Sequence, residues 1–243
     1  DAVMRSYLGD GVDYVLSHDR EIVAGLDDSI LQVTSTDDGT ELIQILRRAR
    51  GYVPLPIEIP RQLAADTFAA GGDLKAVFAI GRDDKVYLSG HFGDLDDLRS
   101  QEARRSETER MERLFGIRPE QSVCDMHPGY VSVGELCDRN RPAAGSSSAA
   151  DKRCTRIQHH HAHIAAVIAE HRLSGRVLGL AYDGTGYGTD GAIWGSEALC
   201  RPATSMRFMK IMTLQSRSMA TDSTMPLHSF CLKKPFLKGR RIW

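Results

Sequence analysis

One stretch, residues 157–197, constrains the fold and chemistry of this chain more than any other. It opens with His159, His160, His161 and His163 and continues into the apolar run 162–169, a good helix former. In a helix, His159 and His163 stand one turn apart on one face, with Cβ atoms about 5–6 Å apart. That spacing lets two imidazoles share one metal ion. Leu173-Ser174-Gly175 then turns the chain, since glycine can end a helix. The apolar run 176–182 reads as a short buried strand. It delivers Asp183 to a loop containing Gly184, Thr185, Gly186 and Gly188. A carboxylate there suits a third metal ligand or a group holding a metal–phosphate bridge. The glycines let backbone amides approach a phosphate. A histidine cluster alone is equally well a solvated helix start, and a glycine-rich loop alone is usually a turn. It is their order that favours a site.

Histidines in the pattern His-His-His-Ala-His, a helix, Asp-Gly-x-Gly and then Trp194-Gly195-x-Glu197 make this segment similar to the HypF family, in its Kae1-like domain. HypF proteins are carbamoyltransferases of [NiFe]-hydrogenase maturation. Further residues carry the same resemblance. His18-Asp19-Arg20-Glu21-Ile22-Val23, Asp27-Asp28-Ser29 and Arg47-Arg48-Ala49-Arg50-Gly51-Tyr52 look like the close of the family's YrdC-like domain, with Gly25 where the family carries arginine. Lys75 and His91-x-Gly93-Asp94-Leu95 look like the opening of its Kae1-like domain, with Ala76 in place of an asparagine. Asp125-x-His127-Pro128-x-Tyr130 looks like a later segment of that domain.

A chain of 243 residues, 42% apolar and 26% charged, describes an ordinary soluble globular protein of one large or two modest domains. Without a membrane-length apolar run or a signal-peptide pattern, a cytoplasmic location is expected. Cysteines 124, 137, 154, 200 and 231 lack paired metal spacing and read as reduced thiols. Asp1 is not a natural start, so a piece of a longer protein is expected. Net charge is −1, but residues 201–243 hold nine Lys/Arg against one acid, Asp222. Such a break marks a tail or a boundary.

Along the chain, strand-like runs at 12–16 and 30–34 precede the basic cluster of Arg47 and Arg50, whose guanidinium groups suit phosphate or carboxylate. A solvated strand end accounts for them equally. Three prolines in 54–60 read as a linker. Runs 74–80 and 85–88 form a hairpin-like pair, 98–114 a charged helix covering a sheet, and 122–124 a strand leading to His127, which meets a ligand or sits in a capped turn. Residues 139–153 read as a mobile loop.

The resemblance implies an α/β fold: the end of a YrdC-like domain over 1–54, a linker at 55–60, and the first part of a Kae1-like domain of the actin-like ATPase class over 61–200. Residues 201–243 are expected to fall outside the family pattern, which stops after Leu199. The resemblance also implies the activity. Carbamoyl phosphate and ATP give carbamoyl-adenylate, and the carbamoyl group passes to a cysteine of HypE for cyanide ligand synthesis. His159, His163 and Asp183 are expected to hold a divalent metal, zinc or iron. Gly184, Thr185, Gly186, Gly188, Lys75, Arg47 and Arg50 are expected at nucleotide or phosphate, and His127 at the substrate pocket. HypE is the expected partner; membrane and nucleic acid are not. The alternatives are a relative that transfers threonylcarbamoyl to tRNA, and a non-catalytic metal- or nucleotide-binding chain.

Overall fold

The computed structural model of the chain describes residues 7–11, 13–16, 19–139, 153–202 and 209–213. The loop expected over 139–153 lies outside them except for its two end residues, as do residues 203–208 and 214–243 of the basic tail.

A six-stranded mixed sheet in the order β3-β6-β5-β4-β7-β8 forms the centre. It is preceded by an antiparallel hairpin, β1 (Ile30–Ser35) with β2 (Glu41–Arg47). In the sheet, β4 (Thr67–Ala69), β5 (Ala79–Arg82) and β6 (Lys85–Leu88) make an antiparallel meander. The β5–β6 turn is two residues long, with Asp83 at φ 55°, a left-handed conformation that aspartate tolerates. Strands β7 (Gln121–Asp125) and β8 (Arg153–Ile157) then add in parallel to β4. Parallel neighbours need crossovers, and helices supply them: α1 (Leu98–Phe115) before β7 and α2 (Val131–Arg139) before β8.

Alternation explains the core. Phe68, Phe78 and Ile80 from the meander meet Met111 of α1 and Leu136 of α2, all essentially out of solvent. Half of the residues of helix α1 are charged, and it buries only Arg104, Thr108 and Met111. Arg104 is compensated by an ion pair with Glu135 of α2, and its Nη2 donates to the Ala70 carbonyl at 2.8 Å. Asp73 caps α2 from a distance, accepting from the Val131 and Ser132 amides at 2.7 and 3.0 Å. The sheet is thereby tied to the helix that leads towards the histidines.

Helix α3 (His159–Glu170) follows β8, its first turn capped by the Gln158 side chain, which accepts from the His161 amide. Its buried stripe is His160, Ile164 and Ile168, spaced i, i+4, i+8. This stripe packs on a second sheet in the order β13-β12-β9: β9 (Arg176–Ala181), β12 (Glu197–Pro202) and β13 (Met209–Thr213). Between β9 and β12, a two-residue ribbon pairs β10 (Gly186–Tyr187) with β11 (Ile193–Trp194).

Several expectations from sequence need correction. β9 is not buried on both faces: Leu178 and Leu180 are half exposed while Gly179 and Ala181 are covered. It is an edge strand with α3 on one side only, so one face keeps its apolar residues open. Residues 13–16 form no strand and are exposed, while Val12 and His18 lie outside the described residues. The proline-rich stretch is more than a connector. Ile57 and Glu58 form β3, which pairs with β6 as an edge strand, the place where flanking prolines are tolerated. Finally, β13 pairs with β12 beyond the point where the pattern was expected to end. A five-residue strand carries too little periodicity to be read from sequence.

Candidate functional site

The strand β7, the first turn of α3 and the loop after β9 converge at one place. Helical spacing puts His159 and His163 on one face, with their Nε2 atoms 3.2 Å apart. Asp183, two residues past the end of β9, brings Oδ2 to 2.9 Å from His159 Nε2 and 3.5 Å from His163 Nε2. One donor atom from each of these residues lies within 4.8 Å of the other two. Two imidazole nitrogens and one carboxylate oxygen are a donor set that suits a borderline divalent cation such as zinc or iron. The side chains are half-buried, so the site is reachable from solvent.

Asp125, at the end of β7, completes the arrangement. Its Oδ2 lies 2.7 Å from His159 Nδ1, and its Oδ1 accepts from the His127 amide at 2.8 Å. Nδ1–H therefore donates to Asp125, which turns Nε2 towards Asp183 and His163. This carboxylate–histidine relation is the one that orients metal-binding imidazoles.

The electrostatics follow from these contacts. The hydrogen bond to Asp125 raises the His159 pKa against the effect of burial, and the charges of Asp125 and Asp183 add to the rise. Burial, followed by the charge on His159, lowers that of His163. Burial would raise Asp125, yet hydrogen bonds from His159 and the His127 amide hold it below the ordinary carboxylate range. Asp183 is likewise pushed up by burial but held down overall by His159 and by the amides of Thr185 and Gly184.

The glycine loop is shaped by close contacts. A Cβ at Gly186 would lie 2.7 Å from His160 Nε2, and one at Gly188 only 2.3 Å from the Trp194 ring. Both glycines thus allow the ribbon to lie against α3 and Trp194. The loop amides serve the protein first: those of Gly184 and Thr185 face Asp183, and that of Gly188 donates to the Ala192 carbonyl at 2.8 Å.

The remaining expected site residues are distributed differently. His127 lies beside the cluster, stacked on Tyr130 at 4.3 Å and edge-on to Tyr187 at 5.4 Å. Lys75 is exposed in a left-handed turn, φ 49°, its amide donating to Asp94. Arg47 and Arg50 sit at the end of the β1–β2 hairpin and pair with Asp27 at 3.6 Å and Asp28 at 3.4 Å. Sequence reasoning did not assign roles to Asp125, His160 or Glu197. Asp125 had a visible signal, since it stands two residues before His127 in the same motif. His160 and Glu197 stand in the quoted motifs, but nothing local pairs them, because their contact spans 37 residues.

Comparison with known proteins bears on the family and the fold. A family model described as the HypF Kae1-like domain matches residues 62–170, and one described as the second subdomain of the carbamoyltransferase Kae1-like domain matches 179–225. The second match runs past Leu199, so the expectation that the family pattern stops there is overturned. Carbamoyltransferase HypF of Rhizobium leguminosarum bv. viciae is 40% identical over 185 residues, 76% of this chain and 22% of that protein. Carbamoyltransferase HypF of Synechocystis is 39% identical over 188 residues, 77% of this chain and 22% of its own length. This chain thus spans about a fifth of the curated relatives it matches. Among solved structures, full-length HypF in the phosphate- and nucleotide-bound form superposes with a TM-score of 0.69 at 38% identity, over 86% of this chain and 30% of that one. HypF of T. kodakarensis gives 0.60 at 33% identity, over 72% and 21%. With both Kae1-like subdomains matched in chain order and the same fold in two solved HypF proteins, the chain belongs to the HypF family.

Proposed function

We propose that the chain contributes to carbamoyl transfer in [NiFe]-hydrogenase maturation, as part of the site that passes a carbamoyl group from carbamoyl-adenylate to a cysteine of HypE. The observation that carries this reading is the convergence of His159, His163 and Asp183 within the Kae1-like region of a HypF relative. The names of the relatives, carbamoyltransferase HypF, support the reaction class, and the nucleotide- and phosphate-bound state of a solved relative supports ATP as co-substrate. Carbamoyl phosphate is the proposed carbamoyl source. Residues 1–54 are proposed as the end of a YrdC-like domain, where Arg47 and Arg50 serve nucleotide handling.

His159, His163 and Asp183 would hold a divalent ion, zinc or iron, which when bound neutralises charge on the phosphate leaving group. The residues around it have separable tasks. Asp125 fixes the His159 tautomer, so that Nε2 rather than Nδ1 faces the site. The Gly184 and Thr185 amides keep Asp183 ionised. His127, Tyr130 and Tyr187 form an aromatic wall beside the cluster, suited to the planar carbamoyl or base portion of the substrate. Lys75 and the remaining loop glycines are proposed to contact the phosphate. The protein is placed in the cytoplasm; among the described residues no helix is long and apolar enough to cross a membrane.

Metal titration combined with a carbamoyl-transfer assay tests this. The protein is supplied with carbamoyl phosphate, ATP and HypE, and carbamoylation of the HypE cysteine is followed by mass spectrometry. Metal-dependent carbamoylation is expected. Metal uptake with no transfer would instead indicate a binding role, and tRNA-dependent ATP turnover a threonylcarbamoyl transferase.

A further inference from the structure

Two cysteines on neighbouring strands stand apart from the proposed transfer chemistry. In the parallel pairing of β7 with β8, Cys124 is opposite Arg156 and Cys154 opposite Ser122. The two cysteines are therefore diagonal neighbours. Side chains two residues apart on a strand share a face, and the two sulfurs meet at 3.5 Å. Their exposures differ sharply: Cys124 is 3% exposed within the main core, whereas Cys154 is open to solvent. Both are free thiols.

We propose that Cys124 and Cys154 form a redox-active dithiol that closes to a disulfide in the presence of a low-molecular-weight disulfide such as glutathione disulfide. The sulfurs need only close by about 1.5 Å to reach bonding distance. The order of events follows from exposure. The Cys154 thiolate attacks one sulfur of glutathione disulfide, forming a mixed disulfide and releasing one glutathione thiolate. Cys124 then loses its proton and attacks the Cys154 sulfur, releasing the second glutathione. Overall, two protein thiols are oxidised by two electrons and one glutathione disulfide is reduced to two glutathione thiols.

Cys124 is suited to the resolving role and not to the first attack. Burial and the contact with Cys154 push its thiol up to about 12, so its thiolate is scarce and the first attack falls to the exposed Cys154. Position gives the pair its interest. Cys124 directly precedes Asp125, the carboxylate that orients His159, and β8 leads within two residues of its end to α3. Closing the bond would cross-link the two strands that carry this part of the site.

The test uses the full chain in glutathione/glutathione disulfide buffers, quenched with acid, alkylated and mapped by peptide mass spectrometry. A cross-linked peptide pair containing Cys124 and Cys154, reversed by dithiothreitol, is expected. Cys124→Ala should trap Cys154 as its glutathione adduct, and Cys154→Ser should leave Cys124 reduced. Alanine keeps the core position apolar, and circular dichroism verifies that each variant is folded. If wild-type Cys154 ends only as the glutathione adduct, pairs with Cys137 or Cys200, or stays reduced in oxidising buffer, the proposal is overturned.

Discussion

His160 Nδ1 lies 2.7 Å from Glu197 Oε2, and both side chains are shut off from solvent, at 0% and 1% exposure. The contact joins the first turn of α3 to the start of β12, beside the end of β9. In register, Glu197 faces Ala181, two residues before Asp183. The pair therefore sets the distance between the helix carrying His159 and His163 and the strand end carrying Asp183. Removing the Glu197 carboxylate takes the acceptor away from the buried His160 Nδ1–H. Glu197→Ala should lower unfolding stability by about 3–5 kcal/mol, measured by urea denaturation. Glu197→Gln, whose amide oxygen still accepts from Nδ1–H, should lose clearly less.

Metal uptake should depend on the three converging donors unequally from the residue behind them. His163→Ala and Asp183→Ala each remove a proposed ligand and should abolish stoichiometric zinc binding in calorimetric titration. Asp125→Asn leaves the ligands in place and loosens the orientation of His159, so a roughly 10–100-fold loss of affinity is expected. Affinity unchanged in all three variants would dismiss the site.

The same contacts predict the pH dependence. Because its folded pKa is raised, His159 contributes stability that is full below its unfolded pKa and is lost as pH rises through the folded value. Asp125 and Asp183 have lowered folded pKa values and contribute stability above their unfolded values, lost as pH falls through the folded ones. The metal-free cluster is thus most stabilising between the unfolded carboxylate and unfolded imidazole values, and its contribution fades from there towards the elevated folded value of His159. Metal binding must displace the His159 proton, so affinity should rise with pH through that folded value. Zinc titrations at stepped pH would read this directly, and a pH-independent affinity would contradict it.

Gly179 is where α3 rests on β9. A Cβ there would come within 2.6 Å of Ile164. Gly179→Val should push the helix off the strand, costing about 1–3 kcal/mol. It should also weaken zinc binding, although residue 179 touches none of the donors. Retention of full affinity would show that the helix–strand contact does not position the site.

In the larger core, the ion pair of Arg104 with Glu135 joins α1 to α2. Glu135→Ala removes the carboxylate that pairs with a guanidinium 3% exposed and should destabilise by about 3–5 kcal/mol in denaturant melts. Arg105, 67% exposed and 3.8 Å from the other Glu135 oxygen, is a useful control: Arg105→Ala should change stability by less than about 1 kcal/mol.

What was legible in the sequence is what depends on local spacing. The i, i+4 relation of His159 and His163, the charged helix expected over 98–114, the presence of a hairpin before it and the family motifs follow from residues close together in the chain, although the first strand of that hairpin starts at Ala79 and its turn is only Asp83-Asp84. Helical and strand periods alone then decide which side chains share a face. Tertiary structure alone decided the rest. It placed Asp183 beside the imidazoles by packing β9 under Ile164 and Ile168, turned His160 inward onto Glu197, and set Asp125 behind His159. It also drew Ile57 and Glu58 into the sheet, paired β13 with β12, and brought Cys124 to Cys154. These contacts join residues that are distant in sequence, and no local preference encodes which strand lies beside which. Only the collective burial of the two cores, with the ladders that satisfy backbone hydrogen bonds inside them, fixes that choice.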